Sequence, residues 1–322
     1  MSVANPDPHG NFDPNRVLCI GDIALDVIVK LDIDGGREGF SSLRYGSDTP
    51  SQVITRGGGA AANVAAWLST TDAKPELISR IGEDSVGLAL IDELENLGVR
   101  CLRRDIIGSA TGTVVVLVDK SGERTMFPDS GANAGLGTAD LPSLDGYAAA
   151  YISGYALFNK VSHQGVLAIF ERLRAAQIPI FFDPASVGTM STFADRASIM
   201  KLLPHSEVML LNESEAHYLA DLDSNEADLA DVFAALAPFA ETVVIKRNEL
   251  GAFAFNSTST GIVSDRQERR EPIDSTGAGD SFAAGFIAEW IKNRDLPAAL
   301  RSGNLMAGRS VELIGARPPK YR

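Results

Sequence analysis

The stretch DSTGAGDSFAAGF, Asp274 to Phe286, carries the residue types that anion chemistry needs. Gly277 and Gly279 free the backbone to turn sharply. Phe282, Phe286 and Ile287 then share one helical face, so a helix is expected to start at about Gly279 or Asp280. The amides of Gly277, Ala278, Gly279 and Asp280 become orphan donors at the positive end of that helix, which is an anion site. A phosphate held there lies beside the Asp280 carboxylate, a candidate general base. The alternative is that Asp280 caps the helix and the glycines serve close packing.

A second stretch, Gly57-Gly58-Gly59-Ala60-Ala61-Ala62-Asn63, reads as a turn entering a helix. Its glycines let a ligand lie against the backbone, and Asn63 offers a donor and an acceptor to hydroxyls, which suits a sugar-like ligand. The same residues satisfy the dinucleotide fingerprint G-x-G-x-x-A, but they do not follow the first strand, where that fingerprint belongs. Tight helix packing explains the small residues better than a dinucleotide does.

Asp22 and Asp26 interrupt the apolar run Val17 to Val29, VLCIGDIALDVIV, which is expected to be one buried strand that releases carboxylates near its end. An even number of residues separates them, hence they share a face. They could accept hydrogen bonds from vicinal hydroxyls, or Asp22 could satisfy backbone amides in a turn. After the run VMLL, Asn212 and Glu215 form a variant capping box, and they could equally order water around a Mg²⁺ that accompanies a nucleotide.

The elements that must position these groups alternate. Short apolar runs (Glu76 to Ile81, Ala150 to Ser153, Ile178 to Asp183, Val208 to Asn212, Thr242 to Lys246) are separated by helical patterns such as GLALIDELENLG and QGVLAIFERLRAAQ. That spacing predicts an α/β fold with a mostly parallel sheet covered on both faces. The segment TGTVVVLVDKSGERTMFP instead reads as a hairpin turning at Gly122. With the β-leaning pieces near Val27 to Lys30 and Gln52 to Thr55 it is expected to make a small second sheet, a candidate lid. The start of the chain reads as a disordered extension, the end, ARPPKYR, as a terminal fray, and His217 as a helix-surface residue.

Composition excludes several classes. Of 322 residues 45% are hydrophobic and 22% charged, the range of folded domains. The net charge of −13 disfavours nucleic acid and anionic membrane as main partners. No apolar stretch has the length of a membrane helix, and the basic and apolar regions of a signal peptide are missing. Cys19 and Cys101 suggest neither a disulfide framework nor a zinc cluster, so a cytoplasmic location is expected. No P-loop, HExxH or G-x-S-x-G occurs, and the four histidines show no metal spacing.

In this order the motifs resemble the PfkB/ribokinase family of carbohydrate kinases, from about Val17 to Ala316, with RGGGAAANVA and DSTGAGDSFAAGF similar to its two signatures. The resemblance implies a Rossmann-like three-layer sandwich over 17–322 after an extension over 1–16, with a β-sheet lid from segments of about 28–56 and 103–130. It implies ATP-dependent phosphorylation of a hydroxyl on a sugar or sugar-like molecule, with Mg²⁺. A nucleoside kinase of the same family and a non-catalytic sugar or nucleotide sensor are the alternatives.

The resemblance also implies roles. Asp280 takes the catalytic-base position, and Gly277, Ala278 and Gly279 the anion hole. Asp26, Gly59 and Asn63 fall on sugar-contacting positions, and Asp22, Gly58 and Arg124 join that side, Arg124 either meeting a carboxylate or simply solvated. Asn212, Lys246, Asn248, Gly251, Thr276 and Asn304 belong to the nucleotide side, and Glu215 to the Mg²⁺, through water. Asn248 replaces a glycine of the nucleotide loop; asparagine tolerates φ > 0, which lets the turn survive. Asp274 and Thr276 occupy places that bind a monovalent cation such as K⁺ in some members. Ala24 and Ala60 stand where ribokinases proper carry Asn and Lys, which turns the expectation away from ribose. A homodimer through the lid sheet is expected, because its edges are otherwise exposed.

Overall fold

The structure, a computed structural model, describes residues 13–34, 43, 45–222, 228–257, 261–266, 270 and 272–320. Most of the expected N-terminal extension, residues 1–12, lies outside the described residues, as do 35–42 and 44 of the first expected lid segment.

The first apolar run is two strands rather than one: β1 (Arg16–Ile20) and β2 (Ala24–Leu31), which join different sheets. The break is at Gly21, whose φ of 153° and close approach to Ser153, 2.8 Å from where a Cβ would stand, admit no side chain. β3 (Ser51–Gly58) and α1 (Ala60–Leu68) follow, then β4 (Lys74–Ile78), β5 (Arg80–Gly82), α2 (Ser85–Asn96), β6 (Arg100–Cys101) and β7 (Arg104–Ile106). A hairpin of β8 (Thr113–Val118) and β9 (Arg124–Asp129) precedes β10 (Ala149–Ser153), α3 (His163–Ala175), β11 (Ile180–Asp183), α4 (Val187–Phe193) and α5 (Arg196–Leu202). The last part holds β12 (Ser206–Asn212), α6 (Glu213–Ala220), α7 (Leu229–Leu236), β13 (Ala240–Lys246), β14 (Ala252–Asn256), β15 (Ile262–Asp265), α8 (Ala278–Asn293) and α9 (Leu296–Ser310).

The main sheet runs β15-β14-β13-β12-β11-β10-β1-β4-β6, parallel from β13 to β6 and antiparallel at the β14 and β15 edge. Helices cover both faces, so its strands are apolar without alternation. Val17 and Cys19 of β1 belong to a core shared with α1, α2, α8 and α9, while Leu18 and Ile20 belong to a second core shared with α3, α6 and α7. Phe181 of β11 packs edge-on against Phe286 and Trp290 of α8, at centroid distances of 6.2 and 5.1 Å. Burying such a ring contributes about 1.5–3 kcal/mol, and here it seats α8 on the sheet.

The smaller sheet runs β3-β2-β8-β9. Its hairpin turns at Gly122 (φ 87°), held by Asp119 Oδ1, which accepts from the amides of Ser121 and Glu123 at 2.8 and 3.0 Å. Residues 104–106, within the second expected lid segment, pair with β5 instead. Among the described residues no helix is long and apolar enough to cross a membrane.

Two further expectations are corrected. His217 is buried on α6, not at its surface. The first part of the C-terminal tail does not fray: Ala316 and Arg317 are buried, and Trp67 Nε1 of α1 donates to the Ala316 carbonyl at 2.8 Å; residues 321 and 322 lie outside the described residues. A Cβ on Gly277 would lie 2.7 Å from Ala316 Cα, so the tail packs directly on the start of α8. The sequence gives no periodicity over these few residues; their burial comes from a groove between α1 and α8 that exists only in the folded chain.

Trp67→Phe removes that hydrogen bond and leaves a buried carbonyl without its donor, so it should lower stability by about 1–3 kcal/mol in a denaturant titration. An unchanged midpoint would mean that the tail is not anchored there.

Candidate active site

The order of the main sheet reverses at β1, which has β10 on one side and β4 on the other. In open α/β sheets a crevice forms beyond the carboxyl ends of the strands at such a point. Here a cleft of about 1490 Å³ opens there, roofed by the inner face of the four-stranded sheet. Asp22 follows β1, and Asp183, Asn212 and Lys246 end β11, β12 and β13. Of the site residues expected from the sequence, all line this cleft except Gly58, and Gly57 of the same run lies outside it too.

Two helix starts converge in it. α8 begins at Ala278, with Gly277 in the left-handed region at φ 75°. Among the described residues the amides of Gly277, Gly279 and Asp280 have no backbone acceptor, whereas Ala278 donates to the Ser275 carbonyl at 3.3 Å. α1 begins at Ala60, whose amide donates to Asp22 Oδ2 at 3.0 Å. Asp22 thus does what a cap does, across 38 residues of sequence, and its buried Oδ1 has no hydrogen-bond partner among the described residues. One turn into α1, Asn63 Nδ2 donates to Asp280 Oδ2 at 2.8 Å and ties the two helix starts together.

The glycine run before α1 has a structural reason at each position. A Cβ on Gly57 would lie 2.2 Å from Arg317 Nη1, one on Gly58 2.3 Å from Asp26 Oδ2, and one on Gly59 2.5 Å from the Asp22 carbonyl. The space over Gly57 and Gly58 is filled by the protein's own charged side chains, which leaves no room for a dinucleotide on that turn.

Lys246 Nζ donates to Asp183 Oδ2 at 2.9 Å and stands 3.4 Å from where a Cβ on Gly279 would be. Burial works to lower its affinity for a proton, but Asp183, Glu215 and Asp280 outweigh burial and keep it an ammonium. Its charge and the free amides of α8 act on the same space. In the sequence Asp183 reads only as the end of the run IPIFFD; its signal is its place at a strand's carboxyl end.

Burial, the like charges of Asp183 and Asp22, and the opposing Asn63 bond and Lys246 charge bring Asp280 to about 7. Asp26 rises to about 6, through burial and Asp22, against the charge of Arg317. Glu215 rises to about 8, through burial and Asp183, against Lys246 and the Asn212 amide. It is also a full capping box: Glu215 N donates to Asn212 Oδ1 and Asn212 N to Glu215 Oε2, both at 2.8 Å.

Arg124 reaches across the cleft from β9 to pair with Asp274 rather than standing in solvent. Asp274 Oδ1 also accepts from Thr276 N and Oγ1 at 2.9 and 2.6 Å, and Oδ2 from Gly315 N at 3.0 Å. These donors hold Asp274 below the ordinary carboxylate range despite its burial. Asn248 adopts φ 48°, so the turn written elsewhere with glycine is kept. Asn304 of α9 donates through Nδ2 to the carbonyl and to Oδ2 of Asp265, each at 2.9 Å.

The sequence matches the pfkB family carbohydrate kinase over residues 15–321. It is 28% identical to an ATP-dependent ribose-1-phosphate kinase of Halopiger xanaduensis, over 94% of each chain. It is 25% identical to the adenosine kinase of Saccharomyces cerevisiae, over 82% of this chain and 80% of that one. The crystal structure of adenosine kinase from Sinorhizobium meliloti superposes with a TM-score of 0.80, at 21% identity and over 95% and 96% of the two chains, which gives the same fold. A match that runs from the first strand to the docked tail leaves no part of this cleft outside it: the chain belongs to the pfkB family of carbohydrate kinases.

Proposed function

We propose that this carbohydrate kinase transfers the γ-phosphoryl group of ATP to a hydroxyl of a sugar or sugar-like molecule, with Asp280 as general base. The observation that carries the reading is a carboxylate brought to about 7, beside the unpaired amides of α8 and under the Lys246 ammonium. Asp280 removes the proton of the attacking hydroxyl, and a base with that midpoint is half-ionised at neutral pH. The amides of Gly277, Gly279 and Asp280, with Lys246, stabilise the charge on the transferring group. Asp26 accepts from another hydroxyl of the same acceptor, and Asn63 orients the base. The nucleotide lies along Asn212, Asn248, Gly251, Thr276 and Asn304. The four-stranded sheet acts as the lid, excluding water that would otherwise compete as acceptor.

Among the described residues no group of three or more His, Cys, Asp or Glu forms a metal site. A nucleotide-bound Mg²⁺ needs only one or two carboxylates, directly or through water, and the buried carboxylates of Glu215 and Asp183 fit that share. When bound, the ion neutralises phosphate charge. At Asp274 the Oδ1 atom is taken by Arg124 and Thr276, while Oδ2, which accepts from Gly315 N, keeps a lone pair that fits a monovalent cation.

The relatives' names support two acceptor classes, a sugar phosphate and a nucleoside, which share a ribose unit. A panel of sugars, sugar phosphates and nucleosides in a coupled ADP-release assay should give one clear phosphorylated product. ATP binding with no product from any of them would favour the sensor reading.

Asp280→Asn should lower kcat by orders of magnitude with ATP affinity nearly kept, and wild-type kcat should fall below pH 7 as Asp280 takes up its proton. Near-normal turnover would contradict the assignment. The same variant has a signed effect on stability. The folded chain holds a proton on Asp280 that the unfolded chain has lost, so wild-type stability falls as pH rises from about 4 to 7 and stays lowered above. Asp280→Asn should therefore melt higher than wild type at pH 8, with the gap closing toward pH 4.

The outer face of the four-stranded sheet presents Val27, Val29, Val53, Val115, Leu117 and Phe127, Val53 and Phe127 more than half exposed. An apolar sheet face of this kind supports pairing with a second copy. Phe127→Asp should convert a dimer to a monomer in light scattering, and a monomeric wild type would contradict the pairing.

A further inference from the structure

The side chain of Arg317 is 5% exposed, ion-paired with Glu93 of α2 at 3.1 Å. It donates through Nη2 to the Gly58 carbonyl at 2.8 Å and through Nε to Asn63 Oδ1 at 3.4 Å. Asp26 faces the same guanidinium and fills the space left by Gly58. A docked tail therefore delivers a positive charge between two residues of the acceptor side.

We propose that Arg317 is a positioning residue, which fixes the Asn63 amide toward Asp280 and holds Asp26 in register, on the acceptor side of the phosphoryl transfer read above. The reason is in the donor inventory. An arginine can only donate, so the Asn63 atom that faces Nε is the oxygen. That leaves the NH₂ group, a donor, for Asp280 Oδ2 at 2.8 Å. With the amide turned over, donor would face donor at Arg317 and oxygen would face carboxylate at Asp280. The guanidinium thereby selects the one orientation in which Asn63 supports an ionised base.

The two carboxylates respond differently. Asp26 is faced by Arg317 and Asp22, with Arg56 directly across on β3, and Arg317 provides the attraction that opposes its burial. Asp280 is faced by Asn63, Asp183, Lys246 and Asp22, with the hydroxyls of Tyr151 and Tyr155 close enough to sense its charge. Arg317 itself is faced by Glu93, Asp26 and Cys101. Loss of the charge acts on Asp26 through space, whereas loss of the fork acts on Asp280 through Asn63. A neutral residue removes both effects, and lysine removes only the second.

The test is a ¹³C NMR titration of the aspartate carboxyls in the full-length protein, with Asp26→Asn and Asp280→Asn to assign the two signals. In Arg317→Gln the Asp26 midpoint should rise by about one pH unit or more, as expected for loss of an adjacent opposite charge, and the Asp280 midpoint should rise with it. In Arg317→Lys the Asp26 midpoint should stay near that of wild type while the Asp280 midpoint still rises. Unchanged midpoints in a cooperatively melting Arg317→Gln protein would overturn the proposal. If that variant does not fold, an unchanged Asp280 midpoint in Arg317→Lys would do so. No acceptor or turnover is needed, so this result stands apart from the fate of the kinase reading. With the acceptor found by the panel, Arg317→Gln should raise the acceptor KM about tenfold or more at pH 7, with the KM for ATP unchanged and recovery above pH 8; equal losses on both substrates would contradict positioning.

Discussion

The hydrogen bond from Asn63 to Asp280, 2.8 Å long and partly buried, joins the starts of two helices and links residues 217 apart in sequence. Everything around it follows from keeping a carboxylate in a place where water is scarce. Burial and two neighbouring carboxylates press Asp280 toward its neutral form, while Asn63 and Lys246 press the other way. The balance falls near neutrality, which is where a base can both hold and release a proton. An exposed aspartate would remain ionised and weakly basic, and one buried without Asn63 and Lys246 would remain protonated.

The sheet makes such a balance affordable. The middles of β1, β10, β11, β12 and β13 are apolar on both faces, and the polar groups that face the cleft stand at their carboxyl ends. Asp22, Asp183, Asn212 and Lys246 are thus presented from a rigid floor, with α8 seated on the same floor by Phe181, Phe286 and Trp290. The positive ends of α1 and α8 point into the space above. A cluster of buried charges is destabilising by itself, and its persistence here depends on the two cores beneath it.

Much of this was legible in the sequence because it is local. Apolar runs at regular spacing imply the parallel sheet, and DSTGAGD implies a turn with free amides in front of a helix. What stayed hidden depends on distant residues. VLCIGDIALDVIV reads as one strand, and it divides only because Gly21 must pass close to Ser153 of β10. GGG reads as a seat for a ligand, yet the side chains of Arg317 and Asp26 fill the space over Gly57 and Gly58, and of the three only Gly59 lines the cleft. Arg317 sits in a tail with no periodic pattern, and Asp183 looks like any strand end until Lys246 is found beside it. His217, polar and next to a cap, gave no sign that α6 turns it inward.

The account rests on the claim that the amides at the start of α8 hold the migrating phosphoryl group next to Asp280. A crystal structure with a non-hydrolysable ATP analogue and the acceptor tests this most directly. The account predicts the γ-phosphate within hydrogen-bond distance of the Gly277 and Gly279 amides, and the acceptor hydroxyl within reach of Asp280. A triphosphate bound away from α8, or an acceptor whose hydroxyls all face away from Asp280, would contradict it.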